Sequence, residues 1–293
     1  MVLANVQQLV DAENNGQSQF VTWRKTPTQT TGAGVWFDLS MSPGNPVPQY
    51  YAASPGVSIA LAQSTDGGID HGGPVAQKGY KKYLKQIMAM TVTAAAVPLP
   101  LILCDYLLFY PFMDMSITDY QPTTNTVALP RTGVSAGNQI MVVEVAGQSG
   151  VGNPQFQITY TNDKGVTGRV TPVVACNTQT VNGTIISSQP TGVVGVRGAS
   201  GPFMPLQSGD TGVQRIDGIQ FFSSDVGLVS LVVVDPIENL AIRTIDAPAE
   251  RVPVTDFIDL PIISDDAYLN LICMPNGSLS GAPIHGYAQF LFA

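Results

Sequence analysis

Histidine, the side chain most often used for proton transfer near neutral pH, occurs only as His71 and His285 in this 293-residue sequence. Asp70 and His71 share a glycine-flanked turn and could bind a metal, but a closed site needs three or four ligands. Asp265 and Asp266 are adjacent, so in a strand they would point to opposite faces and could not act as a facing acid and base. We therefore predict no catalytic residue, no metal and no cofactor, and we interpret His285 as a turn histidine.

The sequence also lacks the residue groupings that nucleophilic catalysis requires. No serine stands in a Gly-x-Ser-x-Gly turn, and no cysteine has a histidine nearby. Cys104, Cys176 and Cys273 lie among apolar residues, which indicates buried, reduced thiols. The glycine-rich residues 195–201 lack the Lys-Ser/Thr ending of a phosphate loop and are expected to be a connection. These patterns favour a protein that is not an enzyme.

The composition favours strands and turns. Charged residues make up 12% of the chain, and there are 29 glycines and 22 prolines. So few charges indicate a surface that largely meets other protein. The net charge of −8 lies in the last third, since residues 1–199 hold 10 acidic and 10 basic side chains, whereas residues 200–293 hold 11 and 3. We expect no direct contact with nucleic acid there, because both would be negative.

The sequence shows neither the pattern expected of a signal peptide nor that of a membrane-spanning segment. The start, MVLANVQQLVDAENNG, has neither a basic segment nor a long apolar run, which fits a protein made and kept in a reducing cytoplasm. The most apolar stretch, residues 94–113, is interrupted by Pro98, Pro100, Asp105 and Pro111. It therefore fails as a membrane span, which needs about 20 apolar residues.

Residues 137–163 give the clearest structural pattern. Residues 140–145 read as a buried strand and residues 147–154 as a turn. Residues 156–160 alternate, which would place Phe156, Ile158 and Tyr160 on one face of a half-buried strand. The pattern predicts a β-hairpin, and the turn at 162–165 predicts a third strand after it.

The remaining pattern predicts an all-β fold, a β-sandwich of jelly-roll type with an irregular N-terminal arm and one short helix. We divide the chain into residues 1–115, with the arm, loops and helix, and residues 116–293, the sandwich body. Residues 2–12 could form an additional short helix. Residues 42–73 are rich in Pro, Gly, Ser and Tyr and are expected to lie on a neighbour or at an interface. Further strands are expected at 19–23, 34–39, 101–110, 169–175, 184–188, 193–196, 216–222, 227–235, 254–260, 267–274 and 286–292.

The predicted helix spans residues 78–90, KGYKKYLKQIMAM, which hold four of the six lysines. Its apolar residues recur at helical spacing. The four lysines could form a basic patch that docks onto an acidic partner, or simply a solvated helix face. The candidate partner contacts are Lys78, Lys81, Lys82, Lys85, Tyr50 and Tyr51.

Several phrases carry a family resemblance: LILCDYLLFYP at 101–111, NTVALPR at 125–131, QITYTN at 157–162, GPFMPLQSGDTGV at 201–213 and DAYLN at 266–270. Together they resemble virion structural proteins of tailed bacteriophages, over residues 80–293. The resemblance implies a building block present in many copies on the head, neck or tail.

The leading hypothesis is a capsid decoration or minor capsid protein of the virion. It would be a homo-oligomer that also contacts the major capsid protein. The nearer alternative is a tail or fibre component in which Trp36, Tyr50 and Tyr51 stack on a host surface glycan, although filling of a core or interface is the commoner role of such residues. The more distant alternative is a β-sandwich hydrolase that uses carboxylates, for which no acid and base pair can be named.

Overall fold

The computed structural model describes residues 6–75, 78–131, 137–147, 154–177, 179–187, 201–256 and 260–293. The protein is mostly β, with 43% of residues in strands and 9% in helices, and its strands form three antiparallel sheets that pack face to face. The prediction of an all-β sandwich is therefore confirmed, whereas the jelly-roll connectivity stays a prediction.

The described elements, apart from short 3-10 turns, are two α-helices and seventeen strands. They are α1 (Val6–Asn14), β1 (Ser18–Lys25), β2 (Phe37–Asp38), β3 (Gly44–Asn45), β4 (Ile59–Ala60), α2 (Gln63–Asp66), β5 (Lys82–Thr91), β6 (Leu99–Asp114), β7 (Gln121–Pro122), β8 (Gln139–Ala146), β9 (Gln155–Asn162), β10 (Arg169–Val170), β11 (Val174–Ala175), β12 (Val213–Phe221), β13 (Leu228–Ile242), β14 (Ala249–Arg251), β15 (Ile262–Ile263), β16 (Leu269–Cys273) and β17 (Ile284–Phe292).

Strand pairing defines the three sheets. Sheet I has the order β14-β5-β17-β1-β3, with β15 also on β5. Sheet II has the order β2-β16-β6-β13-β8, with β4 also on β6. Sheet III has the order β10-β9-β12-β7, with β11 also on β9. Because sheets I and II each combine strands from before and after residue 115, a division at that residue does not follow a sheet boundary.

The two long strands of sheet II, β6 and β13, connect two hydrophobic cores. Near one end of β6, Leu101 and Leu103 pack in one core with side chains of sheet I such as Trp23. Further along the strand, Leu108 and Tyr110 belong to a second core shared with sheet III. The chain therefore forms two sandwiches that share one sheet. The opposite face of sheet II is covered by a third cluster, which includes Trp36, Tyr51, Leu61 and Ile185.

A buried ion pair lies between the two cores. Asp105 follows Leu103 of the first core and precedes Leu107 of the second. Arg131 donates to both carboxylate oxygens of Asp105, at 2.9 and 2.7 Å, and also to the carbonyl oxygens of Leu61 and Tyr106. The two side chains are 8% and 7% exposed. This pair joins the loop before residue 132 to the centre of β6.

The predicted hairpin is wrong, although its strands are present. β8 lies in sheet II and pairs with β13, whereas β9 lies in sheet III and pairs with β12. Two strands that are adjacent in sequence thus contribute to facing sheets. The alternation in β9 is confirmed, since Phe156, Ile158 and Tyr160 are buried, and the turn at 162–165 does lead into β10, which pairs with β9. Of the connection between β8 and β9, only residues 147 and 154 are described.

The predicted helix at 78–90 is also wrong, because Lys82–Thr91 forms the strand β5 between β14 and β17. The helix-like spacing of its apolar residues comes from a β-bulge. Gln86 pairs with Gln289, but Leu84 pairs with Phe290, so Lys85 is an extra residue. The bulge lets Leu84 and Ile87 both point into the core. Their spacing of three residues imitates a helix.

The other sequence predictions are confirmed in part. Residues 42–73 are largely irregular as expected, but they pack on the same chain rather than away from it, since Tyr51, Leu61 and Ile69 are buried. The first helix runs from Val6 to Asn14, and the three cysteines are buried free thiols. The expected strand at 254–260 is wrong at its start, which is a 3-10 turn, and the expected strand at 193–196 lies outside the described residues. No described helix is long and apolar enough to cross a membrane.

Candidate interaction surface

The outer face of sheet I is the surface opposite its buried core, and strand register shows which residues share it. In β1 the side chains alternate, so Val21 and Trp23 are buried while Phe20, Thr22 and Arg24 are exposed. Directly opposite on β17 lie Gln289, Tyr287 and His285. These in turn face Gln86, Met88 and Met90 on β5, and Glu250 on β14 faces Met88. The face is therefore a regular array across four strands.

Apolar and aromatic side chains occupy much of this face. Phe20 is 60% exposed, and its ring lies 4.8 Å from that of Tyr287. Met88 and Met90 are half-buried beside Tyr287 and His285. Aromatic residues and methionine are enriched where protein surfaces meet. The other side of the same strands is a close-packed core, so these side chains project from a fixed backbone.

Charged groups flank the apolar array on opposite sides. Arg24 lies on β1, is exposed and makes no side-chain hydrogen bond or ion pair to another residue that the structure describes. Glu250 lies on β14 at the other side, where it accepts a hydrogen bond of 3.1 Å from the Tyr287 hydroxyl. The outer face of sheet I thus combines an apolar centre with one positive and one negative side.

Helix α1 covers one end of this sheet. Leu9 and Ala12 pack against Tyr83 and Leu291, and Glu13 forms an ion pair with Lys85. The helix leaves the part of the face around Tyr287 open. Val6 and Val10 of the helix are themselves exposed, so an apolar border continues beyond the strands.

The four lysines of the predicted basic patch do not form one surface. Lys78 and Lys81 are exposed, whereas Lys82 is 1% exposed and Lys85 is engaged by Glu13. In a strand, alternate side chains point to opposite faces, so consecutive lysines separate. Lys82 is therefore excluded as a partner contact, while that role for Lys78 and Lys81 stays a prediction.

Lys82 instead holds the glycine-flanked turn around His71 onto β5. Its ammonium group contacts His71 Nδ1 at 2.7 Å and donates to the carbonyl oxygens of Gly72 and Gly73. Burial lowers the pKa of Lys82 to about 8, although Asp265 opposes the shift. Burial, and then the charge of Lys82, lower the pKa of His71 to about 4. His71 is therefore neutral near pH 7, with Nε2 donating to the carbonyl oxygen of Ala267.

The aromatic residues considered for sugar stacking lie in three different environments. Tyr50 is 57% exposed, Trp36 is 9% exposed and Tyr51 is fully buried. Tyr51 donates a hydrogen bond of 2.5 Å to Asp38, which also accepts from Tyr106 and Ser40. Burial raises the pKa of Asp38, and these donors oppose the shift. Tyr51 is thus excluded as a partner contact, and the three residues do not form a shared platform.

A groove of about 740 Å³ borders Trp36 at the outer end of β6 and β13. Its floor includes two directly opposed pairs, Ile102 with Asn239 and Pro100 with Ala241. Its volume lies within the range typical of ligand pockets. Since Trp36 is almost buried, however, little of its ring is accessible from this groove.

The residues considered for catalysis or metal binding are dispersed. Asp70 is exposed and accepts from Gln63, while its neighbour His71 is buried. Asp265 faces Lys82, whereas Asp266 accepts from Ser64. Within the described residues there is no group of three or more His, Cys, Asp or Glu side chains that could hold a metal.

Two predictions remain, those for His285 and for residues 195–201. His285 is not in a turn, because it lies within β17 beside Arg24. The glycine-rich connection at 195–201 lies, apart from its last residue, outside the part that the structure describes.

The outer face of sheet I was not predicted from the sequence. A signal for it was present in SQFVTWRK, because burying Trp23 and Val21 places Phe20, Thr22 and Arg24 on the other side. The partners of these residues on β17 and β5 come from distant parts of the chain, and their register cannot be derived from local pattern.

Comparisons with known proteins give no relative. A scan against models of protein families, a search of curated proteins and a search of solved structures each found no match to this chain.

Proposed function

We propose that this protein is a structural virion protein of a tailed bacteriophage, of the capsid decoration or minor capsid type. It assembles symmetrically with copies of itself and with other virion proteins, including the major capsid protein, and stabilises the particle through protein–protein contacts. It is not an enzyme, and it neither contacts nucleic acid nor enters a membrane. It is made in the host cytoplasm and resides in the virion.

The observation that carries the proposal is the outer face of sheet I. Phe20 is 60% exposed with its ring against that of Tyr287, and Met88 and Met90 lie on the next strand, opposite Tyr287 and His285. Such a group is costly to leave in water and is typical of a surface that another protein covers. The sheet is held by its core, so little conformational entropy is lost when the face is covered. The resemblance of residues 80–293 to virion structural proteins supports the same assignment.

Reconstitution tests the proposal. Purified protein would be added to phage heads that lack it, and the bound fraction would be measured after sedimentation. We expect binding of the natural sequence and at least tenfold weaker binding when Phe20→Ser and Met88→Ser are combined. Phe222→Ser is the matched control, because Phe222 is 47% exposed directly after β12 of sheet III.

Two results would contradict the proposal. One is failure of the natural protein to bind such heads. The other is an electron-microscopy map of the intact phage particle in which this chain has no place.

A further inference from the structure

The outer face of sheet I has a charge arrangement that suits a twofold axis. Glu250, Met88, Tyr287 and Thr22 form one row across the four strands, and Arg24 lies two residues further along β1 than Thr22. With usual strand spacings, the Cα atoms of Arg24 and Glu250 are about 16 Å apart. The point midway between them lies among Tyr287, Met88, His285 and Met90.

We propose that the occupant of this face is a second copy of the same chain, related by a twofold axis through that midpoint. This inference rests on the proposed function, and it names the partner that covers the outer face of sheet I. In such an isologous contact Arg24 of each copy meets Glu250 of the other, so one positive and one negative side produce two ion pairs. The apolar side chains of the two copies meet at the axis.

Charge complementarity favours a second copy over a partner of uniform charge. A basic partner would be attracted by Glu250 but repelled by Arg24, and an acidic partner would meet the reverse. Like-charge contacts across an interface cost several kcal/mol. Only a surface with both signs in matching positions satisfies both residues, and this face is itself such a surface.

The size of the contact predicts its strength. Four strands and three rows cover roughly 300–400 Å² by standard strand dimensions, and stable interfaces bury about 800 Å² on each partner. The isolated dimer is therefore weak. In a particle, contacts at other surfaces would hold the copies together and raise the effective concentration at this one.

Charge reversal tests the twofold contact. Self-association of the full chain would be followed by sedimentation equilibrium up to millimolar protein. We expect a measurable dimer for the natural sequence. Arg24→Glu alone and Glu250→Arg alone should each raise the dissociation constant at least tenfold, since each reversal creates two like-charge contacts. Lys164→Glu is the control, because Lys164 is an exposed cation in the turn between β9 and β10 of sheet III.

Two restorations are specific to the twofold arrangement. The double variant Arg24→Glu with Glu250→Arg should recover the dimer. A mixture of the two single variants should form a heterodimer, because both ion pairs are then satisfied between unlike copies. Circular dichroism would confirm that every variant is folded.

The outcomes separate this inference from the proposed function. A natural protein that stays monomeric throughout, or a dimer that is unchanged by either reversal, would overturn the twofold contact. So would reversals that weaken the dimer without restoration in the double variant or the mixture. If the twofold contact is absent but Phe20→Ser with Met88→Ser still weakens head binding at least tenfold, the proposed function stands with a different neighbour on this face.

Discussion

Replacing Arg131 by methionine would test how the two cores are joined. The change removes the guanidinium group but keeps most of the side-chain volume, and it leaves the carboxylate of Asp105 buried without its cation. Breaking a buried ion pair by removing one partner costs about 3–5 kcal/mol. Arg131 also donates to the carbonyl oxygens of Leu61 and Tyr106, so part of the loss is independent of charge. We expect the free energy of unfolding of Arg131→Met to fall by about 3–5 kcal/mol near pH 8.

The pH dependence gives this prediction its specificity. Burial raises the pKa of Asp105 to about 6, and Arg131 opposes that shift. Because the folded pKa lies above the unfolded value, stability from Asp105 is fully present below about pH 4 and is lost as the pH rises through the folded pKa. Without Arg131 the folded pKa rises further, and each additional pKa unit costs about 1.4 kcal/mol at high pH. Near pH 5 the carboxyl group is largely protonated in both proteins, so the difference should shrink to about 1.5–3 kcal/mol, the cost of losing the hydrogen bonds from the charged guanidinium group to the two carbonyl oxygens.

Urea denaturation followed by tryptophan fluorescence would measure the effect at about pH 5 and pH 8. The control is Arg215→Met, since Arg215 is 45% exposed in its ion pair with Asp217 and should cost less than about 1 kcal/mol. Adding Asp105→Asn to Arg131→Met should restore the charge-dependent part of the loss at pH 8, because no buried charge remains. Equal destabilisation at the two pH values, or a loss no larger than that of Arg215→Met, would refute the reasoning.

Two further changes test the packing of sheet I and the electrostatics of sheet III. Gly286→Ala places a methyl group against the Trp23 ring and the Met88 carbonyl, so the free energy of unfolding should fall by about 1–3 kcal/mol. The control is Gly73→Ala, which has open space around it and should leave the thermal midpoint unchanged. Asp210 accepts from Arg169 and Tyr160, and Arg169 is the main cause that lowers its pKa to about 2. Its stabilisation is present above about pH 4 and lost as the pH falls towards 2. Acid titration followed by circular dichroism should show Asp210→Asn less stable near pH 6 and equal to the natural protein near pH 2, and a constant gap would exclude this role.

The strands were predictable from the sequence, but their partners were not. The alternation of Phe156, Ile158 and Tyr160 identifies β9 because burial on one face imposes a period of two. Nothing within that pattern states which strand lies alongside it, and the structure pairs β9 with β12, more than fifty residues later. Local turn residues favoured a hairpin with β8, but burial of both strands in facing sheets prevailed.

The outer face of sheet I was not predictable for the same reason, since local pattern does not show which strands lie side by side. The bulge at Lys85 gives β5 a helical spacing of apolar residues, so the pattern predicted the apolar stripe of a helix rather than a sheet surface. Phe20 stood in a recognised strand, but its exposure depends on the register with β17 from the far end of the sequence. By contrast, the burial of the three cysteines followed directly from their apolar neighbours.

The shared sheet also determines how the molecule would transmit orientation. Since β6 and β13 run without interruption from one sandwich into the other, no flexible linker separates sheets I and III. The angle between their outer surfaces is fixed by the twist of one backbone ladder and by its bulges, including the extra residue Leu107 of β6. In an assembly that used both outer surfaces as contacts, this angle would set the curvature. Inserting or deleting a residue at a bulge should therefore change the radius of the assembly while the contacts themselves stay the same.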